Sequence, residues 1–303
     1  MVTTVYDGSY KLEKDAGFDP SNIKGKSVLI TGGGSGMGEA MARAFVNAGA
    51  FVTIGDWNEE NGQRVASDLG SNNAAFVKVD VGSWDDQLQL FKTALAKSPS
   101  RSLDIVIANA GHSGRDPIYW DDSEVDGEPI EPDLRIVKSC LIGCMYTTKL
   151  GLHYLARQPD DGNHDRCLIL MSSIAGYCDQ PGTPMYCASK NGIRGFMGSL
   201  RRTVHKNNMR INLLAPWYVR TPAIPQDNQD RLSSKGVVWA EPTNAAAATL
   251  HIASDSKLNG RCLAIVPKDT DLRGYMDMEK DDYSSEDIAA EWQRIMIAAS
   301  HRA

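Results

Sequence analysis

No apolar run in this chain approaches the ~18 residues of a membrane-spanning helix. A basic excess is also missing: 32 Lys and Arg stand against 38 Asp and Glu, for a net charge of −6. A nucleic-acid binder usually carries a basic face, so neither a membrane nor a nucleic acid is expected as partner. The opening segment MVTTVYDGSYKLEKDAG lacks the basic start and apolar stretch of a secretory signal. The cysteines Cys140, Cys144, Cys167, Cys178, Cys187 and Cys262 contain no CxxC pair and no histidine at metal-ligand spacing. Scattered free thiols of a reducing, cytoplasmic setting are the expectation, with no disulfide framework and no metal. What remains is a 303-residue chain, 42% hydrophobic and 23% charged, with ample length for a large buried core.

The chain is organised by alternation. Short β-branched runs at 26–30, 51–55, 75–79, 104–108, 167–171, 210–214 and 262–266 read as seven strands. They are apolar without polar alternation, which suits strands buried on both faces. Helical stretches lie between them, starting near 35, 58, 84, 131, 184 and 243. The βαβα order predicts an α/β fold with a doubly wound, seven-stranded parallel sheet of the Rossmann type. One domain over 26–267 is expected, with a polar leader (1–25) and a C-terminal extension (268–303) that runs from an acidic turn at 277–282 into a helix. The segment from about 112 to 133, rich in Asp, Glu and Pro, reads as an exposed loop, and the polar stretch 222–236 as a mobile lid.

Between the first strand and first helix lies Thr31-Gly32-Gly33-Gly34-Ser35-Gly36-Met37-Gly38. Glycine tolerates positive φ and lets backbone approach a ligand. The free N–H groups of the following helix attract a pyrophosphate. The spacing departs from the common GxGxxG fingerprint, but the strand–loop–helix context is the one that supports a dinucleotide site. Asp56 follows the second strand, 18 residues after Gly38. A carboxylate there accepts hydrogen bonds from ribose hydroxyls and repels a 2′-phosphate. No Arg or Lys occupies 55, 57, 58 or the glycine loop, which favours NAD over NADP. The plain alternative is that Asp56 caps the next helix.

Tyr186 and Lys190 are four apart and share one helix face. A free phenol titrates near ~10; a neighbouring ammonium favours its ionised form and so its use as an acid/base near neutrality. Together these residues resemble the short-chain dehydrogenase/reductase family. Residues 31–38 fit its TGxxxGxG loop, Asn109-Ala110-Gly111 its NAG motif and Tyr186-Cys187-Ala188-Ser189-Lys190 its YxASK motif, with Ser173 placed 13 residues before Tyr186. The likeness covers roughly 24–222 and looks closest to the 15-hydroxyprostaglandin-dehydrogenase-like branch, which implies NAD. It implies Tyr186 as acid/base, Ser173 as stabiliser of the substrate oxygen, and Lys190 as ribose anchor. It further implies cofactor contacts at Gly32, Ser35, Gly36, Met37, Gly38, Asp56, Asp80, Val81, Asn109, Ala110, Gly111, Pro216, Val219 and Thr221. A homodimer or homotetramer is also implied.

Two positions depart from the pattern. Cys140 stands where the family usually has an asparagine, and a thiol is a poor hydrogen-bonding substitute. Trp217 stands where a glycine follows Pro216, which suggests an aromatic wall for a flat substrate. Tyr177, Met185, Trp217 and Tyr218 flank the catalytic positions and are candidates for an apolar substrate pocket. The expected function is an NAD-linked oxidoreductase interconverting a secondary alcohol and a ketone on a medium-sized, largely apolar molecule such as a lipid, steroid or polyketide-like secondary metabolite. The alternatives are a non-redox cyclase or isomerase on the same scaffold, and a cofactor-binding protein with weak activity.

Overall fold

Each apolar run becomes a strand whose side chains alternate between two cores. The computed structural model describes residues 6–158 and 165–300 (Tyr119 through its backbone only). The first five residues of the leader and the last three of the extension lie outside the described residues. The main sheet contains β1 (Ser27–Thr31), β2 (Phe51–Asp56), β3 (Ala74–Lys78), β4 (Ile105–Ala108), β5 (Cys167–Met171), β6 (Arg210–Pro216), β7 (Cys262–Ile265) and β8 (Tyr275–Asp277). Their spatial order is β3-β2-β1-β4-β5-β6-β7-β8. All neighbours pair in parallel except β8, which runs antiparallel to β7 with Tyr275 opposite Ile265.

The period of two along a strand explains why no polar alternation is visible. Val28, Ile30, Ile105 and Ile107 face one core, together with Met41 and Phe45 of α1 (Gly36–Asn47) and Ala248 and Ile252 of α7 (Pro242–Ser254). Leu29, Val106, Leu168 and Leu170 face the other. That side is covered by α3 (Trp84–Lys97), α4 (Gly143–Leu155) and α5 (Pro184–Leu200). Three further helices among the described residues are α2 (Glu59–Leu69), α6 (Gln226–Ser233) and α8 (Ile288–Ala299).

Two expectations are corrected by the structure. The sheet has eight strands rather than seven. The added one, only three residues long, ends in Asp277, and its acidic surroundings read as a solvated turn. Asp277 is instead buried because Arg261, at the head of β7, forms two 2.8 Å bonds to its carboxylate. The loop after β4 carries a helical turn (Pro117–Trp120) and a small hairpin pairing Glu124–Val125 with Glu128–Pro129. Asp126 and Gly127 form its turn at φ +55° and +82°, the Asp-Gly signature of a tight hairpin. The polar stretch at 222–236 contains α6, anchored by buried Gln229, whose amide donates to the carbonyl of Ile224 at 2.8 Å.

The leader and the extension are clamped together. The Tyr6 hydroxyl donates to Asp282 at 2.7 Å and accepts from Arg201 at 2.7 Å. Arg261 also reaches Asp282 at 2.8 Å. Removing one partner of a buried ion pair leaves the other charge uncompensated. Asp277→Ala is therefore expected to lower unfolding stability by about 3–5 kcal/mol, read from urea midpoints. A loss below about 1 kcal/mol would refute the clamp.

His251 of α7 is fully buried between Phe18 and Tyr275, with Nδ1 2.8 Å from the Tyr275 hydroxyl. Burial holds its pKa below the ordinary 6.5. As pH falls through that value the unfolded chain takes up more protons than the folded one, so stability is lost toward acid. Between about pH 7 and pH 5 the wild type is expected to lose more stability than His251→Gln; equal losses would show that this imidazole does not contribute.

Candidate active site

The connections from β1 and β4 leave the sheet in opposite directions, which opens a crevice at their C-terminal ends. The glycine loop lies in it. Gly32 sits at φ +69°, and a Cβ there would come within 2.8 Å of the Ala110 Cα. A Cβ on Gly38 would fall 1.9 Å from the Gly32 carbonyl oxygen, so only glycine lets α1 start so close to the loop. Asn109 fastens this arrangement: its amide donates to the carbonyls of Thr31 (2.9 Å) and Gly32 (3.0 Å). The Thr31 hydroxyl accepts from the backbone N–H groups of Asn109 and Ala110 at 3.1 and 3.2 Å. Ser35 precedes α1 without a side-chain capping bond, so the first N–H groups of the helix face the crevice free of a side-chain cap.

Asp56 ends β2 and is nearly buried. Its two carboxylate oxygens accept from the Gly34 N–H (2.8 Å) and the Asn58 N–H (2.9 Å). Each oxygen keeps a further lone pair for a ligand hydroxyl. Tertiary packing also brings in a cation that lies outside the sequence motifs. Arg64 of α2 approaches the Gly34 carbonyl at 3.4 Å. Its guanidinium is held by both Glu39 oxygens, at 3.1 and 2.7 Å. That contact with Arg64 holds the Glu39 carboxyl below its usual range. Asp80 and Val81 follow β3. Asp80 turns back to accept from the Gly82 N–H at 2.8 Å, and Val81 packs where a Cβ on Gly143 would come within 2.8 Å.

At the end of β5, Ser173 accepts from the Ala175 N–H at 3.2 Å and faces the Pro216 carbonyl at 3.5 Å. Helix α5 is fastened to the same strand end. The Ser172 hydroxyl donates to the Lys190 carbonyl at 2.9 Å, and Lys190 Nζ donates to the Met171 carbonyl at 2.9 Å. Lys190 is 3% exposed, and its Nζ lies 5.4 Å from the Tyr186 ring centre. An ammonium has three donors, so two remain for a ligand beside Gly111. Ser173, Tyr186 and Lys190 line one cavity of about 340 Å³ with Met37, Asn109 and Gly111 of the crevice. Pro216, Val219 and Thr221 line it from the end of β6. Thr221 lies so close to the glycine loop that a Cβ on Gly36 would be 3.2 Å from its side chain.

Cys140 lies in a π-helical stretch, Lys138–Ile142, that leads into α4; such bulges recur at functional sites. It is buried, and its thiol donates to the His112 carbonyl at 3.2 Å. Trp217 is 39% exposed and pinned, with its indole N–H donating to the Val238 carbonyl at 3.0 Å. Tyr218 meets it edge to face at 5.0 Å, and both rings line the cavity.

The other two pocket candidates stand elsewhere. Tyr177 donates to Asp281 at 2.7 Å beneath the Arg194 guanidinium, 4.1 Å from its ring. Burial pushes its hydroxyl pKa up, and it ties the extension to α5. Met185 is buried against Ile136 and Cys140. Its N–H donates to Asp116 at 2.7 Å, which exposes a residue that no motif marked. Thr183, at the N-terminus of α5, makes no side-chain cap. The fully buried Asp116 supplies one from the loop after β4. Asp116→Ala is expected to cost about 1–2 kcal/mol of stability and to reduce turnover by loosening the helix that carries Tyr186. Wild-type melting and turnover together would disprove this role.

Among the described residues no group of three His, Cys, Asp or Glu is placed to hold a metal, and no helix is long and apolar enough to cross a membrane. A family model described as short chain dehydrogenase matches residues 26–232. A 5′-hydroxyaverantin dehydrogenase of Dothistroma septosporum is 37% identical over 268 residues, covering 83% of this chain and 88% of that protein. A 15-hydroxyprostaglandin dehydrogenase of Mus musculus, named for NAD(+), is 28% identical over 263 residues, covering 80% and 91%. Relatives from Phoma sp. and Cochliobolus lunatus are named NADP-dependent. A 3-ketoacyl-(acyl-carrier-protein) reductase of Brucella melitensis, solved with NADH, superposes with a TM-score of 0.68 at 26% identity, covering 80% of this chain and 97% of that one.

Proposed function

The chain belongs to the short-chain dehydrogenase family and is an oxidoreductase acting on a hydroxyl group, and from that premise we propose that it interconverts a secondary alcohol and a ketone on a medium-sized, largely apolar molecule with NAD(H). The observation that carries this reading is the shared cavity. Ser173, Tyr186 and Lys190 come from β5 and α5, yet they line one space with Met37, Asn109 and Gly111 of the glycine crevice. The crevice fits a dinucleotide, because a Cβ at Gly32 or Gly38 would collide with backbone.

A dinucleotide bound there would supply the acceptor for the hydride of the carbinol carbon in oxidation, and the hydride for the ketone carbon in reduction. The protein's own groups do the rest. In the oxidative direction Tyr186 takes the hydroxyl proton while the C–H bond breaks and C=O forms; in reverse it returns that proton. Ser173 donates to the same substrate oxygen and steadies its developing charge. Lys190 would keep ribose hydroxyls in place with the donors that Met171 leaves unused. Val219 and Thr221 would hold the carboxamide end, and Asp56 would receive the hydroxyls of the adenosine ribose. Arg64, which reaches the Gly34 carbonyl, shares Glu39 and Asp68 with Arg43; two cations against two carboxylates leave no excess positive charge beside the loop, which supports NAD over NADP. Apolar walls from Trp217 and Tyr218 support a lipid-, steroid- or polyketide-like substrate. By family likeness the assembly is a homodimer or homotetramer, and the free thiols suit a cytoplasmic setting.

Tyr186→Phe is expected to lower kcat by about 10²–10⁴-fold while NADH still binds, as read by fluorescence titration. Unchanged turnover would remove Tyr186 from the acid/base role. The wild type is expected to favour NAD over NADP by kcat/KM, and Asp56→Ala to shrink that preference by about tenfold or more, equivalent to ~1.4 kcal/mol. A wild type that uses both equally would overturn the cofactor assignment.

A further inference from the structure

The loop after β4 builds a second cavity beside the first. It measures about 680 Å³ against about 340 Å³. Its walls come from the turn Pro117–Trp120, the acidic residues that follow, and Arg135 and Ile136 ahead of α4. His112 belongs to the walls of both cavities, so the two spaces adjoin at this residue. We propose that this second cavity binds the distal, hydroxyl-bearing end of an elongated neutral substrate whose reacting carbon lies between Ser173 and Tyr186. The inference rests on the catalytic reading above.

Size is the first argument. Ligand pockets commonly span about 300–1,000 Å³. The inner cavity is at the low end, and residues proposed to hold the dinucleotide (Met37, Asn109, Val219 and Thr221) already form part of its wall. A dinucleotide held by them would take up part of that volume and leave less of it beside Tyr186 for a medium-sized substrate. The volume that adjoins it lies past His112.

Chemistry is the second argument. The outer cavity carries Arg115 and Arg135 but also Asp121, Asp122 and Asp133. Arg135 is ion-paired with Asp133, and Arg115 lies close enough to Asp121 to help hold its carboxyl below the usual range, after the hydrogen bonds from Ser123. A formal charge of either sign on the ligand would meet both attraction and repulsion, so the wall gives a charged ligand little net preference. A neutral hydroxyl both donates and accepts, and so suits a wall of alternating donors and acceptors. Among the described residues the Arg115 guanidinium makes one hydrogen bond, 2.6 Å to the Trp120 carbonyl, which leaves the other N–H groups of its fork for a ligand. Desolvation and then Arg135 hold the His112 pKa below its ordinary value, which disfavours a positive charge at the junction.

Preorganisation is the third. Trp120 is half exposed, yet its indole N–H is fixed to the Gly182 carbonyl at 2.9 Å. Its ring stands ready with Pro117 and Ile136 as an apolar floor. Holding a binding side chain in place before the ligand arrives reduces the entropy lost on association.

The test uses two series of methyl ketones on spacers of increasing length, one ending in a 3,5-dihydroxyphenyl ring and the other in plain phenyl. With NADH, the dihydroxy ketones are expected to pass through a KM minimum at intermediate length, about tenfold below their phenyl partners, or ~1.4 kcal/mol. Arg115→Ala and Trp120→Ala should erase that advantage through KM, while the shortest ketone, which does not reach His112, changes far less. A wild type with no hydroxyl advantage at any length, or variants that affect short and long ketones alike, would overturn the proposal. If none of the ketones is reduced, it is the redox reading that fails. Calorimetric titration of the same ketones into the NADH-bound protein then still decides the cavity: a Kd about tenfold weaker in Arg115→Ala supports it, and an equal Kd refutes it.

Discussion

The seam between the ends of β1 and β4 governs the rest of the site. Two strands that exchange no sequence neighbours are joined there by the Thr31 hydroxyl and the Asn109 amide, with four hydrogen bonds between 2.9 and 3.2 Å. The joint sets the depth of the glycine loop, and the loop sets where α1 begins. A side chain at Gly32 would push the two strand ends apart, and one at Gly38 would push α1 off the loop. Asn109 thus acts chiefly as a fastener for the crevice floor, and its place in the cavity wall follows from that task.

The side that carries Ser173, Tyr186 and Lys190 depends on a second fastening of the same type. Tyr186 is placed by a helix bolted to β5 at two points, through Ser172 and Lys190, and capped from outside by Asp116. A phenol must come within hydrogen-bond reach of the proton it moves, so small tilts of α5 matter. The loop after β4 therefore has two duties. It caps the helix that bears Tyr186, and through His112 it forms the boundary between two cavities. Its length and acidity, which look like solvated filler in the sequence, follow from building walls outside the sheet.

Much of the fold was legible because parallel strands buried on both faces leave an uninterrupted apolar run. All seven such runs became strands, displaced by no more than a residue or two at their ends. β8 escaped because three residues are too few to show a period, and because its buried aspartate is explained only by Arg261, 16 residues away. The α6 helix escaped for a related reason: it exposes nearly all of its polar side chains and is held through the single buried Gln229. Of the four pocket candidates, Trp217 and Tyr218 line the cavity, whereas Tyr177 and Met185 turn inward. Adjacency in sequence to a proposed catalytic residue says nothing about which side of the backbone a side chain takes.

What the sequence by itself determined is whatever depends on spacing within one element or one turn: the glycine loop between a strand and a helix, the pairing of Tyr186 with Lys190 on one helical face, and the two-faced burial of the sheet. Those relations are fixed by backbone geometry, whatever packs around them. Tertiary structure alone decided the contacts across layers. It brought Arg64 to Gly34 and paired it with Glu39, set Asp116 on the end of α5, and made His112 a wall common to two cavities. Such contacts join residues far apart in the chain, and they arise only when the helices have packed on the sheet and the loop after β4 has closed over its edge.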